Sequence, residues 1–366
     1  MQIEEVRLTP FAIPLSTPVK FAQGYLTEAE HILVEVVTED GAIGWSEAIP
    51  RPMIYGETMT SVRTIIEDVL APQVRGVSVG EIEKLHAVLQ TVKGNPVARS
   101  SIELAAFDCF AKSLGISCHS LLGGYTDRMR ATFILGLADM STTVKGALAV
   151  AASHGISSFK VKVGHDLARD IELIKTLRRE LPDAVICPDA NMAYQPSDAF
   201  EFLSRTGDLG LSWIEEPCGL EHLAAKSDLA RACMVTPFLG DESCMTPREV
   251  AVEVGAGRSS FVSIKLARTG LVDSLAIRDF CATAGASPVV GSQGDSAIGS
   301  LTAVSFGAAS AVTARHPSEL AYMLILEGSV CAQDPTIEDG WMSVPEGHGF
   351  GIEIDPDKLS FFGRNF

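Results

Sequence analysis

The chain has 366 residues, with 46 Asp and Glu against 29 Lys and Arg, a formal net charge of −17. That balance disfavours nucleic acid and anionic membranes as partners, though a local cluster of cations or a metal could still bind a small anion. No run of about 18 apolar residues exists, so no membrane span is expected, and MQIEEVRLTP places acids and Pro10 where a secretory signal would be basic and then apolar, which points to the cytoplasm.

In chain order, residues 1–125 read as an α+β unit. IEEVRLTPFAIPL and HILVEVVTEDGAIG are strand-like, with turn chemistry at Glu39-Asp40-Gly41. In NPVARSSIELAAFDCFAKSLG, Val97, Ile102, Ala105, Cys109 and Phe110 fall near one helical face, and Gly115 ends the helix. From residue 126 to 330 a βα rhythm takes over. Strand-like runs occur at 131–137, 158–163, 184–188, 211–215, 237–240, 260–266, 287–291 and 320–326, with helical stretches such as DLARDIELIKTLRREL between most of them. Eight strands at this beat predict a (β/α)8-type barrel. A doubly wound sheet is the alternative, but no GxGxxG follows the first strand and no Walker motif is present. Residues 331–366 form a turn-rich tail expected to pack back on the first unit. The eight cysteines, scattered and without a CxxC pair, are read as reduced and structural. His119, His165 and His222 are read as surface or helix-cap residues.

Within this rhythm FKVKVG, residues 159–164, poses a chemical question. Alternation along a strand places Phe159, Val161 and Val163 on one face and Lys160 and Lys162 on the other. An exposed edge strand would look the same. The following strand ends carry acids, however: Asp189 and Asn191 in CPDAN, Glu215 and Glu216 in SWIEEP, Asp241 and Glu242 in FLGDES. Lys265 then appears in VSIKLARTG and Asp295, after Gln293, in VVGSQGDS.

In a barrel, catalytic groups sit at the C-terminal ends of strands. Asp189, Glu215 and Asp241 recur evenly, one per βα unit. Acids after strands are commonly helix caps, but three in matching positions, flanked by lysines, suit one divalent ion with hard oxygen ligands, Mg²⁺ or Mn²⁺. Zinc fits less well, since neither His nor Cys accompanies them. Glu216, Glu242 and Asn191 would orient these ligands.

The ordered set KVK, DAN, IEEP, GDES and IKLARTG resembles the enolase superfamily, and most of all its muconate lactonizing enzyme subgroup. The likeness spans nearly the whole chain. It implies an N-terminal α+β capping domain over a modified TIM barrel, (β/α)7β. It also implies metal binding by Asp189, Glu215 and Asp241, acid/base roles for Lys162 and Lys265 on opposite faces of the substrate, and support of Lys162 by Lys160. Specificity would come from capping-domain loops, here Thr17–Leu26 and Ala48–Tyr55, where Arg51 and Tyr55 could hold a second carboxylate. A homo-oligomer is expected.

The shared reaction of such enzymes forms an enolate from a carboxylate. A lysine acting as base must be neutral, and a neighbouring ammonium disfavours the charged form. Lys160 and Lys162 are thus expected to ease each other's deprotonation. Within the subgroup the first reading is muconate cycloisomerase, in aromatic catabolism, acting on a small dicarboxylate. Dipeptide epimerases carry two acids near the seventh strand end, where this chain has Asp295 alone. Because muconate enzymes commonly have Glu there, o-succinylbenzoate synthase and N-acylamino acid racemase stay open. A Schiff-base barrel lyase and a non-catalytic binding protein are the readings outside the family.

Overall fold

The computed structural model describes residues 1–21 and 24–365. An antiparallel sheet, β1 (Ile3–Phe21), β2 (Gly24–Thr38) and β3 (Ile43–Ala48), opens the chain in the order β1-β2-β3. Alternation along β2 buries both faces. Ile32, Val34 and Val36 pack with Ala98, Ile102, Ala105 and Cys109 of the helix Pro96–Leu114. Leu33, on the other face, joins Phe11 and Ile13 in the core shared with the barrel. The tip of the first expected lid loop, residues 22 and 23, lies outside the described residues.

After the short strand β4 (Arg128–Arg130), seven parallel strands follow: β5 (Phe133–Leu135), β6 (Ser158–Lys162), β7 (Val185–Asp189), β8 (Ile214–Glu215), β9 (Phe238–Gly240), β10 (Phe261–Ile264) and β11 (Ser287–Val290). They form one curled sheet in strict sequence order, with helices between them. Phe159, Val161, Ile186, Ile214, Phe238, Val262 and Val290 point outward into the helix-covered core. Cys187, Trp213, Leu239 and Val289 fill the barrel interior, with Val185 and Phe261 packed against them. Trp213 stacks on Phe261 at 5.0 Å between centroids, and His316 meets both edge-on. The interior is thus plugged from below, which leaves the C-terminal mouth as the open end.

One expected element differs. Residues 320–326 do not form an eighth strand; Tyr322–Ile325 is a 3₁₀ turn. Closure comes one step earlier. Ser318 bridges Ala131, Thr132 N donates to Ser318 O at 2.7 Å, and Glu319 N donates to Val290 O at 2.9 Å. An apolar run of this length does not by itself distinguish strand from turn. Two hydrogen-bonded residues suffice to span the gap, and they aim Glu319 into the mouth.

In the tail, β12 (Ile337–Glu338) pairs with β13 (Trp341–Ser343), which pairs in turn with β4. Beyond them the chain returns to the N-terminal sheet and its helix. Phe350 N donates to Asp108 Oδ1 at 2.7 Å, Cys118 N to Gly349 O at 2.6 Å, and Arg364 N to Pro10 O at 2.9 Å. Glu47 of β3 caps the helix Ala297–Ala308, accepting from Ser296 N at 2.9 Å and Gly299 N at 3.0 Å. Among the described residues no helix is long and apolar enough to cross a membrane. All eight cysteines are free. Burial pushes the thiols of Cys109 and Cys218 up to about 11 and those of Cys281 and Cys331 to about 12, as expected of packing residues.

Candidate active site

The strand register brings the sequence-derived residues together. Lys162 pairs with Asp189 across β6 and β7, and Asp189 with Glu215 across β7 and β8. Glu215 pairs with Leu239, so Asp241 lies two residues beyond that level, just past the end of β9. Period-two alternation keeps all of them on the inner face.

Lys160 Nζ lies 3.1 Å from Asp189 Oδ2, 2.7 Å from Glu215 Oε1 and 2.8 Å from Glu319 Oε1. Lys162 Nζ donates to the same Asp189 oxygen at 2.6 Å and to Asn191 Oδ1 at 2.6 Å. Asn191 in turn donates through Nδ2 to Glu242 Oε1 at 3.1 Å. On the other side, Lys265 Nζ lies 2.5 Å from Asp241 Oδ2, and Arg268 Nη2 2.8 Å from Asp241 Oδ1.

These contacts correct one expectation. Lys160 and Lys162 do sit side by side, but on a shared carboxylate oxygen. Burial disfavours the Lys160 ammonium, yet Asp189, Glu215 and Glu319 outweigh burial and hold its pKa well above the usual lysine value. Lys265 is also held above that value: burial lowers it, Asp241 raises it more, and Lys160 and Arg268 offset part of the rise. In this geometry Lys160 is a fixed charge rather than a group eased toward neutrality.

The acids diverge in turn. Burial would raise Asp189, but Lys160 and Lys162 bring it down to about 2. Asp241 is held far below the carboxylate range by Arg268, Lys265 and Lys160 against its burial. Glu215 is pushed well above that range by burial and by Asp189, with Asp241 and Glu319 adding to the rise.

Whether a divalent cation suits this donor set can be judged from three features. All the acids are hard oxygen donors. Burial first, and then the neighbouring carboxylates of Asp189, Asp241 and Glu319, push Glu215 upward. Glu242 Oε2, next in the chain to Asp241, is buried and accepts no hydrogen bond, while Asp241 Oδ1 meets the Arg268 guanidinium. Each of these fits an ion held by Asp189, Glu215 and Asp241. As they stand, the carboxylates turn toward ammonium groups, and among the described residues no three acidic, His or Cys side chains form a ready-made cage.

Above the acids lies a cleft of about 120 Å³ lined by Lys160, Lys162, Lys265, Arg51, Tyr55 and Tyr322, among others. Arg51 reaches it from the N-terminal unit. Its Nε donates to Gln293 O at 3.0 Å and its Nη1 to Pro50 O at 2.8 Å. Its Nη2 approaches Gly294 O at 3.5 Å. Tyr55 Oη is 3.5 Å from Arg268 Nη1. Gln293 lines the cleft, whereas Asp295 does not. Asp295 lies behind Lys265, in a separate cavity of about 20 Å³ shared with Glu47, and burial plus Glu47 push its carboxyl up to about 7. A direct substrate contact for Asp295 is therefore not what the geometry offers.

Known proteins match this architecture along its length. Residues 3–123 match the mandelate racemase / muconate lactonizing enzyme N-terminal domain, and residues 142–358 the enolase C-terminal domain-like family. The chain belongs to the enolase superfamily, in its muconate lactonizing enzyme subgroup. It is 30% identical to L-Ala-D/L-Glu epimerase of Bacillus subtilis, over 96% of this chain and 97% of that one. A solved muconate lactonizing enzyme from Mycobacterium smegmatis, complexed with muconolactone, superposes with a TM-score of 0.97 at 36% identity, over 100% of both chains. A dipeptide epimerase from Enterococcus faecalis V583, complexed with Mg and the dipeptide L-Leu-L-Tyr, gives 0.91 at 26% identity, over 96% of this chain and 100% of that one. Other relatives, at 26–29% identity, are a muconate cycloisomerase, an N-succinylamino acid racemase and an o-succinylbenzoate synthase.

In this enolase-superfamily enzyme several residues at the site escaped the sequence reading. Glu319 completes the triad of acids around Lys160 and also accepts from Ser292 N at 2.8 Å. It stands one residue before the apolar run 320–326, at the edge of the strand that the sequence pattern predicts there. Arg268, three residues after Lys265 in IKLARTG, was visible but without an assigned partner. Tyr322 gave no signal, because its place in the cleft depends on the turn that replaced the strand. Backbone strain also gathers here: Asn191, Met192 and Glu216 have φ of 42°, 66° and 34°. Asn adopts such values readily, Met and Glu at a cost, and such residues cluster at functional sites.

Proposed function

We propose that this enzyme forms an enolate intermediate from a dicarboxylate, with cis,cis-muconate as its substrate and muconolactone as its product. Asp189, Glu215 and Asp241 would hold one divalent ion, Mg²⁺ or Mn²⁺. When bound, it supplies positive charge where a carboxylate becomes doubly negative. Lys162 and Lys265 reach the same cleft from opposite flanks of the acids, each able to deliver or take a proton at the substrate's α-carbon. Positioned acid/base groups contribute about 10²–10⁴-fold.

The observation that carries the choice of substrate is Arg51. Its guanidinium lines the cleft, its close contacts are to backbone carbonyls, and no carboxylate pairs with it among the described residues. Burial lowers its pKa, with Tyr322, Asp295, Tyr55 and Glu47 offsetting part of that, and a substrate anion in the cleft would offset more. A distal substrate carboxylate suits that position, whereas a substrate ammonium would be repelled. In the reaction, an oxygen of that carboxylate adds to the conjugated double bond and a C–O bond forms. The displaced electron pair moves onto the proximal carboxylate as an enolate, and a lysine ammonium then protonates the α-carbon.

N-succinylamino acids and the o-succinylbenzoate precursor are dianions too, and Arg51 would favour them for the same reason. The test is a screen with Mg²⁺ or Mn²⁺ in deuterated water against cis,cis-muconate, dipeptides, N-acyl and N-succinylamino acids and the o-succinylbenzoate precursor. Lactonization with one deuterium incorporated at the α-carbon is expected. Inert muconate, with deuterium exchange into an amino-acid derivative, would overturn the assignment.

A further inference from the structure

A second set of buried charges stands beneath the acid cluster. Lys226, on the helix Leu223–Ala232, is 1% exposed. Its Nζ lies 2.8 Å from Glu216 Oε2, 2.6 Å from Glu253 Oε1 and 3.2 Å from Ser243 Oγ. The other oxygen of Glu216 accepts from Asp241 N at 2.8 Å, Ser243 N at 2.9 Å and Ser243 Oγ at 2.5 Å. Glu253, on the helix Pro247–Gly255, is steadied from outside by Arg258 Nε at 2.6 Å and Ser259 Oγ at 3.2 Å. Burial disfavours the Lys226 ammonium, but Glu216 and Glu253 together hold it charged.

A buried ion pair between two helices could serve the fold alone. Two features tie this one to the site. All three donors on Glu216 Oε1 come from the turn that carries Asp241 and Glu242. Glu216 also keeps a positive φ of 34°, a strained value for a side chain of its type, which turns its carboxylate away from Glu215 and under that turn. The chain Glu253–Lys226–Glu216 therefore ends on the backbone amide of Asp241, the acid displaced furthest along the barrel axis.

We propose that Lys226 and Glu253 are positioning residues for the divalent cation, fixing the carboxylate of Asp241 through Glu216. This rests on the reading of Asp241 as a metal ligand. Outer partners of ligands commonly shift metal affinity by about 10–100-fold when removed.

The experiment titrates the full-length protein with Mn²⁺, following free Mn²⁺ by electron paramagnetic resonance, with near-ultraviolet circular dichroism as the check on folding. Lys226→Gln is expected to weaken Mn²⁺ binding by about 10–100-fold, and Lys226→Arg to restore it to within roughly threefold of wild type. If Lys226→Gln does not fold, Glu253→Gln and Ser243→Ala, which each remove one contact, should still weaken binding by roughly threefold or more. Folded Lys226→Gln, or folded Glu253→Gln together with Ser243→Ala, binding Mn²⁺ like wild type while Asp241→Asn does not, would overturn the proposal. Unchanged binding by Asp241→Asn would instead overturn the metal reading beneath it.

Discussion

A Cβ built on Gly291 would stand 3.1 Å from both Cγ and Cε of Lys265, and 2.5 Å from Ser263 Oγ. The last residue before the seventh-strand loop therefore lacks a side chain where the Lys265 stem passes. Gly291→Ala should displace the amine from Asp241 by a few tenths of an ångström. Overpacking of this kind costs about 1–3 kcal/mol, and small misplacements at a reacting group are strongly amplified. We expect kcat to fall by roughly tenfold with KM little changed. Unaltered kcat would show that Lys265 does not act at the reacting atom.

Lys162→Ala and Lys265→Ala separate the two flanks. In a cycloisomerase only one lysine delivers the proton, so one variant should lose about 10²–10⁴-fold in kcat and the other less. In a racemase each should abolish exchange from one enantiomer only. Steady-state rates and deuterium exchange from each enantiomer distinguish these outcomes. Wild-type rates in both variants would remove the lysines from the chemistry.

Arg51→Met should raise KM for a dicarboxylate by about one to two orders of magnitude, consistent with about 1.5–3 kcal/mol for a hydrogen bond to a charged group. Arg51→Lys should recover little, because the fork that reaches Gln293 O and Pro50 O is lost with the guanidinium. Equal KM for wild type and Arg51→Met would leave the distal carboxylate unplaced.

Removing divalent ions with EDTA should abolish turnover, and Mg²⁺ should restore it. Mg²⁺ should also raise the melting temperature, since a ligand that binds only the folded state stabilises it. Turnover that persists in EDTA, with borohydride trapping a lysine adduct, would establish an imine-forming lyase instead.

His86 Nδ1 is 2.7 Å from Glu103 Oε1, and that hydrogen bond raises the imidazole pKa above its usual value, burial opposing. A raised folded-state pKa contributes stability that is fully present below the unfolded value, about 6.5, and is lost as pH rises through the folded value. Urea denaturation of His86→Gln and wild type should therefore show a larger difference at pH 5.5 than at pH 9. His86 is partly exposed, so the effect should be modest. A pH-independent difference would refute the linkage.

The reactive face of the barrel followed from local pattern. Alternation in FKVKVG separated the lysines from the apolar face, and Phe159, Val161 and Val163 do pack into the helix-covered core. The recurrence of one acid per βα unit is enough to place Asp189, Glu215 and Asp241 at neighbouring strand ends. The eighth strand misled because Leu320–Leu326 is apolar and short, and such a run is compatible with strand or turn.

Residue types at strand ends were thus determined by the sequence itself, since strand period and the βα rhythm are local properties of the chain. Partnership was decided only by the tertiary structure. Lys160 meets Glu319, Arg51 meets Gln293 O, Glu47 caps the helix at Ser296, and Lys226 braces Asp241 through Glu216. Each contact joins different elements of the fold, and several join segments more than a hundred residues apart. Whether a buried charge is neutral, fixed or free to move a proton depends on the fields of those partners, and no periodicity along the chain encodes them.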